Sequence, residues 1–324
     1  MSAITVNHLN KTYKSYRKDP GFFGSVRSLV KRKYENIPAV KDISFTIESG
    51  ELVGFIGPNG AGKTTTLKCL SGLLFPTSGE ISVLGFKPFE RKNEFLKQIS
   101  LVMGQKNQLW WDLPPMETFL LNKEIYQIPK NHFKKTLDEL ISILEVEDII
   151  NIQVRKLSLG QRMKCELIAA LLHSPKILFL DEPTIGLDVV MQKKLRGFVR
   201  EYNKKFNATV ILTSHYMEDV RQLCDRIIVI DHGSILFDGK FDELVKKHTQ
   251  QKIISVIFEK EVLREKLLKL GIIKDFDLPK VVLLVKRENA NSVAEKLLKD
   301  FSVLDMNIEE PDIEDVIRNV FSKS

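Results

Sequence analysis

The segment Gly57-Pro58-Asn59-Gly60-Ala61-Gly62-Lys63-Thr64-Thr65 lies between an apolar, strand-like run from Leu52 to Ile56 and a helix-like run from Thr64 to Leu73. No other stretch restricts the possible folds so sharply. A glycine, four residues and then Gly-Lys-Thr is the spacing of a loop whose backbone N–H groups turn inward on phosphate oxygens, while a helix N-terminus adds the positive end of its dipole. Lys63 is then expected to bridge the β- and γ-phosphates of a nucleotide, and Thr64 to ligate Mg²⁺.

A second strand end carries acid. Ile177-Leu178-Phe179-Leu180-Asp181-Glu182 is an apolar run that closes on two carboxylates, which places them at the carboxyl end of a buried strand beside the phosphates. Asp181 suits Mg²⁺, usually through water, and Glu182 suits the general base that polarises an attacking water.

The rest of the chain supplies the alternation of an α/β sheet. Strands are expected at Ile4 to Leu9, Lys41 to Ile47, Glu80 to Leu84, Ile99 to Met103, Ile177 to Leu180 and Thr209 to Leu212, with a helix from Val189 to Tyr202. From Pro114 to Ser174 the apolar spacing is helical, as at Leu137, Leu140, Ile141 and Leu144. Asp225 to Phe237 predicts a hairpin turning at Asp231-His232-Gly233, followed by a helix from Phe241 to Lys247. After His248-Thr249-Gln250-Gln251 the pattern restarts: strand Ile253 to Phe258, helix Glu261 to Leu270, strand Val281 to Val285, helix Ala290 to Leu298, strand Val303 to Ile308 and helix Ile313 to Phe321. That is enough for a small α+β domain.

Composition narrows the function classes only a little. Hydrophobic content of 43% and charged content of 28% are globular values. No apolar run approaches the roughly 18 residues of a membrane span, and Met1 to Val6 lacks a basic, then apolar, leader, so a cytoplasmic protein is expected. Cys69, Cys165 and Cys224 are far apart and read as core thiols rather than a disulfide or zinc set. The net charge of +7 would suit nucleic acid or an anionic membrane surface without choosing between them.

Leu157-Ser158-Leu159-Gly160-Gln161, upstream of the acid strand, resembles the Leu-Ser-Gly-Gly-Gln signature of the ATP-binding cassette (ABC) ATPases. Gln105 resembles that family's Q-loop, Gly186-Leu187-Asp188 its D-loop, His215 its switch histidine, and Tyr13 the aromatic that stacks on adenine. The resemblance covers about residues 3 to 245. It implies a P-loop NTPase fold: a RecA-like core sheet, an antiparallel β-subdomain and a helical insert at about 106–175. The ATP-binding domain would then span 1–250 and a C-terminal α+β accessory domain 251–324.

The same resemblance implies the site. Two cassettes meet head to tail, as a homodimer or with a second ABC ATPase. ATP then lies between Tyr13, Gly57, Pro58, Asn59, Gly60, Ala61, Gly62, Lys63, Thr64 and Thr65 of one subunit and Ser158, Gly160, Gln161 and Asp188 of the other. Lys63, Gln105, Glu182 and His215 would carry catalysis, with Thr64, Gln105 and Asp181 on Mg²⁺. The chain departs from the pattern at Leu159, which stands where the signature has its first glycine.

The family resemblance leaves two roles. One is the energy-coupling subunit of a bacterial exporter with separate six-helix membrane permeases; the other is a soluble ABC ATPase acting on nucleic acid or ribosomes. The second kind usually has two cassettes in one chain or a long coiled-coil insertion, and this chain shows neither, so no nucleic-acid partner is expected. Trp110 and Trp111 follow Gln105 where the family receives the permease's coupling helix. Between Lys14 and Asn36 an insertion interleaves Arg17, Lys18, Arg27, Lys31, Arg32 and Lys33 with Phe22, Phe23, Val26, Leu29, Val30 and Tyr34. Val26, Leu29, Val30 and Lys33 fall at helical spacing, which predicts a basic interfacial helix on the inner membrane surface. Such an insertion also resembles the gate helix of polysaccharide-exporting ABC ATPases, keeping glycan or glycolipid export as an alternative cargo class. The expected location is the cytoplasmic side of the cell membrane, as a peripheral subunit.

Overall fold

The computed structural model describes residues 2–17, 33–104, 107–214, 217–248 and 251–310. They form two compact units, Met1–Gly239 and Lys240–Ser324.

The first unit holds two sheets. In the three-stranded sheet, β1 (Ser2–Arg17) lies between β2 (Lys33–Glu48) and β4 (Ser78–Val83) and is antiparallel to both. The six-stranded sheet has the order β5-β6-β7-β3-β8-β9. It is built from β3 (Leu52–Ile56), β5 (Ile99–Met103), β6 (Ile177–Asp181), β7 (Thr209–Ser214), β8 (Arg226–Asp231) and β9 (Ser234–Lys240). The pairs β5–β6, β6–β7, β3–β7 and β3–β8 are all parallel. Every residue of β6 and β7 is buried, as expected of strands covered on both faces. His232 and Gly233 join β8 to β9 with φ of 46° and 85°, the left-handed pair that a two-residue hairpin turn needs.

Helix α1 (Lys63–Leu70) leaves the phosphate loop; it ends before the expected Leu73 because Gly72 takes a φ of +74°. The helical insert contains α2 (Pro115–Ile125), α3 (Lys130–Leu144) and α4 (Leu159–Leu171). Helix α3 turns Phe133, Leu137, Leu140, Ile141 and Leu144 inward, the spacing that the sequence predicts. Two further helices, α5 (Val189–Phe206) and α6 (Met217–Leu223), flank β7. α5 runs past Tyr202 and stops at Asn207, whose φ is 48°.

The expected insertion between the first two strands is corrected at both ends. Its outer residues continue the β1–β2 ladder, with Lys14 opposite Asn36, Ser15 opposite Glu35, Tyr16 opposite Tyr34 and Arg17 opposite Lys33. Once the base of the hairpin is paired, each further pair adds ladder hydrogen bonds, and Thr12, Tyr13, Tyr34 and Ile37 are strand-favouring residues. Lys33 is therefore a strand residue and not part of a helical face. Arg27, Lys31, Arg32, Phe22, Phe23, Val26, Leu29 and Val30 lie outside the described residues.

The second unit begins with α7 (Phe241–His248) and continues with β10 (Gln251–Phe258), α8 (Arg264–Leu268), β11 (Ile272–Asp277), β12 (Lys280–Lys286), α9 (Ala290–Asp300) and β13 (Val303–Glu309). Its strands form an antiparallel sheet of order β11-β12-β10-β13. Ile254, Val256, Phe258, Val281, Leu283 and Val285 from the sheet pack with Leu267, Val293 and Leu297 from the helices. β11 is not foreseen in the sequence, because Lys274, Asp275 and Asp277 obscure its alternation. The expected helix from Glu261 to Leu270 shortens to Arg264–Leu268. The expected helix from Ile313 to Phe321 lies outside the described residues.

Candidate active site

Parallel register aligns the strand ends. Met103 sits opposite Asp181, Asp181 opposite Thr213, and Ile56 opposite Ser214. Gly57 and Glu182 therefore leave the same edge of one sheet, the carboxyl edge where open α/β sheets bind ligands. His215 follows Ser214 directly, and Gln105 follows Gly104; both residues lie outside the described set.

The phosphate loop wraps the start of α1. Gly60 and Gly62 take φ of 84° and 110°. At Gly62 a side chain is excluded twice over, since a Cβ there would also lie 2.5 Å from the Ala39 carbonyl oxygen. Lys63 is 5% exposed, and its Nζ donates to the carbonyl oxygens of Gly57 (2.6 Å) and Pro58 (3.1 Å). Glu182 Oε1 lies 4.0 Å from the same nitrogen. Burial pushes the Lys63 ammonium below its ordinary pKa, while the Glu182 and Asp181 charges oppose that fall.

A cavity of about 490 Å³ opens over this loop. Asn59, Gly60, Ala61, Gly62, Lys63, Thr64 and Thr65 line it from below and Asp181 and Glu182 from the side. Its size is that of a small-molecule site. Tyr13 of β1 stands near it, its hydroxyl 3.4 Å from Thr65 Oγ1 and its ring 5.4 Å from Lys11 Nζ.

Asp181 is fixed from two sides. Thr64 Oγ1 donates to Oδ1 and Oδ2 at 3.0 and 2.8 Å, and Thr213 Oγ1 donates to Oδ1 at 2.7 Å. Thr213 also accepts the Glu182 N–H, at 3.1 Å through its carbonyl and 3.0 Å through its hydroxyl. That grip holds Glu182 at a φ of 53°, a left-handed conformation of the kind that costs a non-glycine residue about 1–3 kcal/mol. The result aims a carboxylate over the loop next to Lys63. A hydroxyl and a carboxylate already in contact are oxygen donors of the kind Mg²⁺ takes alongside nucleotide phosphates. Among the described residues no group of three or more His, Cys, Asp or Glu side chains is arranged to hold a metal alone.

The signature residues sit at the start of another helix. Ser158 caps α4 by accepting the Gln161 N–H (3.2 Å), and the Ser158 N–H donates to Gln161 Oε1 (2.9 Å), a reciprocal capping box. Leu159 packs toward Gly186, where a Cβ would lie 2.6 Å from Leu159 Cδ2 and where φ is +71°. The side chain gained at 159 is thus matched by one absent at 186. Gly160 borders Met191, and Asp188 caps α5 by accepting the Met191 N–H (2.9 Å). Within this one chain Ser158, Gly160, Gln161 and Asp188 do not line the phosphate cavity.

Sequence reasoning missed three residues behind this arrangement. Thr213 grips the Asp181 carboxylate and the Glu182 N–H. Asp219 on α6, 1% exposed, accepts from Thr184 (2.5 Å), Arg196 of α5 (2.5 Å) and Ser214 (3.3 Å). Glu166 of α4, 3% exposed, accepts from the backbone of Gln108 and Leu109. The available signal for Glu166 is an acid inside the apolar run Cys165 to Leu172, since a buried charge needs partners.

Comparison with known proteins agrees with this geometry. The family described as ABC transporter matches residues 40–185, and the family described as EvrA-like ABC transporter, C-terminal domain, matches residues 250–309. The ABC transporter ATP-binding protein NatA of Bacillus subtilis is 33% identical over 71% of this chain and 93% of its own length. The bacitracin transport ATP-binding protein BcrA of Bacillus licheniformis is 35% identical over 67% of this chain and 70% of its own. The linearmycin resistance ATP-binding protein LnrL of Bacillus subtilis is 29% identical over 91% of this chain and 97% of its own. A solved ATP-binding cassette, dimeric and in a post-hydrolysis state bound to ADP and Pi, superposes with a TM-score of 0.61 at 26% identity, over 73% of this chain and 98% of that one. Identity of 33% to NatA over 93% of its length shows that this chain belongs to the ABC transporter ATP-binding proteins, a family of ATPases, and its phosphate loop, the acid pair at the end of β6 and the serine-capped signature helix fit that family.

Proposed function

We propose that this chain powers export through separate membrane permease subunits, as one of two cassettes that close on ATP. The observation that carries the catalytic part is the contact of Thr64 with Asp181 beside Glu182, all at one sheet edge. Lys63 would leave the Gly57 and Pro58 carbonyls for the β- and γ-phosphates. Glu182 would accept the proton of the attacking water, with Gln105 and His215 supplied from the segments that follow β5 and β7. Bound Mg²⁺ would neutralise charge on the phosphates, and Thr64 and Asp181 would hold it.

Dimerisation follows from the separation of the half-sites. Ser158, Gly160, Gln161 and Asp188 lie away from the chain's own phosphate cavity, so they would serve the nucleotide of a second copy or of another ABC ATPase. ATP bound between two subunits would stabilise their association and hydrolysis would release it. The dimeric solved cassette supports this reading.

The permease is assigned to the face around a cavity of about 530 Å³, lined by Leu101, Met103, Gln108, Asn122, Ile125 and Tyr126 among others. Trp110 and Trp111, 56% and 49% exposed, lie two and three residues beyond Gln108 and offer aromatic anchors for a helix. No helix among the described residues is long and apolar enough to cross a membrane, so transport would need separate membrane subunits. Export is favoured by likeness to BcrA, a bacitracin transport protein, and LnrL, a linearmycin resistance protein. The accessory domain, placed at 251–324, would regulate or steady the dimer and do no chemistry. The basic insertion would face the inner membrane surface.

The test is to purify the chain from its own membranes and identify what comes with it. Multi-span membrane proteins should copurify with the natural chain and be lost from a Trp110→Ser/Trp111→Ser variant that still binds ATP. Equal recovery from both would reject the tryptophan pair as the docking site.

A further inference from the structure

Ser158, Arg162 and Glu166 succeed one another at intervals of four residues and share one face of the signature helix. At one end of that face is the capping serine of the signature. At the other, the Glu166 carboxylate is buried and accepts three contacts from the chain that follows the Q-loop. Gln108 N–H lies 2.9 Å from Oε1 and 3.1 Å from Oε2, and Leu109 N–H lies 3.3 Å from Oε1. Between them, the Arg162 guanidinium stands 6.0 Å from the Trp111 ring centre.

The same stretch is fastened again just upstream of the signature. Arg155 N–H donates to the Trp111 carbonyl (3.0 Å), its guanidinium to Asp112 (3.1 Å), and Val154 N–H to the Leu113 carbonyl (3.1 Å). On its other side, Gln108 Nε2 donates to the Leu101 carbonyl of β5 (2.5 Å). Residues 108–113 therefore form a strut between the core sheet and the signature helix, with both tryptophans of the chain on it. The exposed ion pair and the cation–π contact are worth little alone. The Glu166 contacts differ in kind, because they are buried and two backbone donors lose their acceptor if the carboxylate goes.

We propose that Glu166 is a positioning residue that makes the Trp110–Trp111 segment and Ser158 one moving body, so that ATP seated against Ser158 is registered at the tryptophan pair. The inference deepens the reading of that pair as the permease-facing surface and rests on it for the meaning of the signal. The mechanical link itself is testable in the isolated subunit.

The experiment uses the full chain carrying Glu182→Gln, so that ATP-bound dimers accumulate, with and without Glu166→Gln. Glutamine keeps the shape, but with its oxygen at the Oε1 position its amide N–H₂ faces the Gln108 N–H in place of Oε2, and flipped it faces both backbone donors. Since the only tryptophans of the chain are Trp110 and Trp111, intrinsic emission on adding Mg·ATP reads that segment directly. The expected result is a clear emission change with Glu166 and one at least about fivefold smaller with Glu166→Gln. ATP affinity, measured with a labelled nucleotide, and dimer formation should be the same in both. An equal emission change in the two proteins, or none in the Glu166 protein while it dimerises, would overturn the proposal. Should Glu166→Gln fail to fold, Glu166→Asp takes its place: it keeps the charge but draws the carboxylate back by one methylene from the Gln108 and Leu109 N–H groups, and an undiminished emission change there would also overturn the proposal. Loss of permease capture is read separately: tryptophan variants that still capture permeases would sink the docking assignment and leave the emission result standing.

Discussion

The two largest sheets of this molecule use burial in opposite ways. In the six-stranded sheet of the first unit, the parallel strands β6 and β7 are buried along their full length, and polar side chains cluster at their carboxyl ends as Asp181, Thr213 and Ser214. In the antiparallel sheet of the second unit, β12 alternates buried Val281, Leu283 and Val285 with partly exposed Val282 and Leu284. One arrangement concentrates polar groups at a single edge, where a rigid apolar scaffold fixes their geometry. The other has no such edge: its second face carries Ile253, Ile257, Val282 and Leu284, all partly exposed, and among the described residues gathers no cluster of polar groups. Chemistry belongs to the first sheet for that reason, and the second has the character of an accessory structure.

That contrast breaks most readily at ion pairs. Asp219 and Arg196 form a buried pair with 1% and 9% of their side chains exposed, and Asp219 also holds Thr184 and Ser214. Asp219→Ala strands the guanidinium and the Thr184 hydroxyl in the core. It should destabilise the first unit by about 3–5 kcal/mol in urea denaturation. Arg287 and Glu310, paired in the second unit, are 35% and 43% exposed. Arg287→Ala should cost less than about 1 kcal/mol in the same assay. Comparable losses from the two variants would show that the second unit is organised like the first.

A smaller expected effect sharpens the division of labour. A chain ending at residue 250 retains the phosphate loop, both acids and every described residue around the nucleotide cavity. Its affinity for ATP should match that of the full chain by titration with a labelled nucleotide. Complete loss of binding in a truncated chain that folds would assign the second unit a part in the site.

What the sequence discloses tracks how local each feature is. Gly57 to Thr65 is one continuous segment whose chemistry depends on spacing alone, and the Asp181-Glu182 pair is recognised by the apolar run before it. Thr213 is silent, because its importance arises only when β7 lies beside β6 and its hydroxyl reaches Asp181, 32 residues away in sequence. Glu166 reaches Gln108 across 58 residues and Asp219 reaches Thr184 across 35, so nothing in their neighbourhoods names their partners. The Leu159 departure is likewise resolved only in three dimensions, by the missing side chain of Gly186. β11 and the outer parts of β1 and β2 fail for a different reason. Their charged residues suit exposed strands but carry no clean alternation, and pairing with a neighbouring strand decides their conformation.

The central claim is that the edge formed by Lys63, Thr64, Asp181 and Glu182 hydrolyses ATP, with Glu182 as the base. Single-turnover and steady-state hydrolysis by the Glu182→Gln variant, with bound nucleotide and oligomeric state followed by size-exclusion chromatography, tests it most directly. Turnover should fall by about 10²–10⁴-fold while ATP stays bound and a dimer persists. Wild-type turnover by Glu182→Gln at saturating ATP would contradict the account.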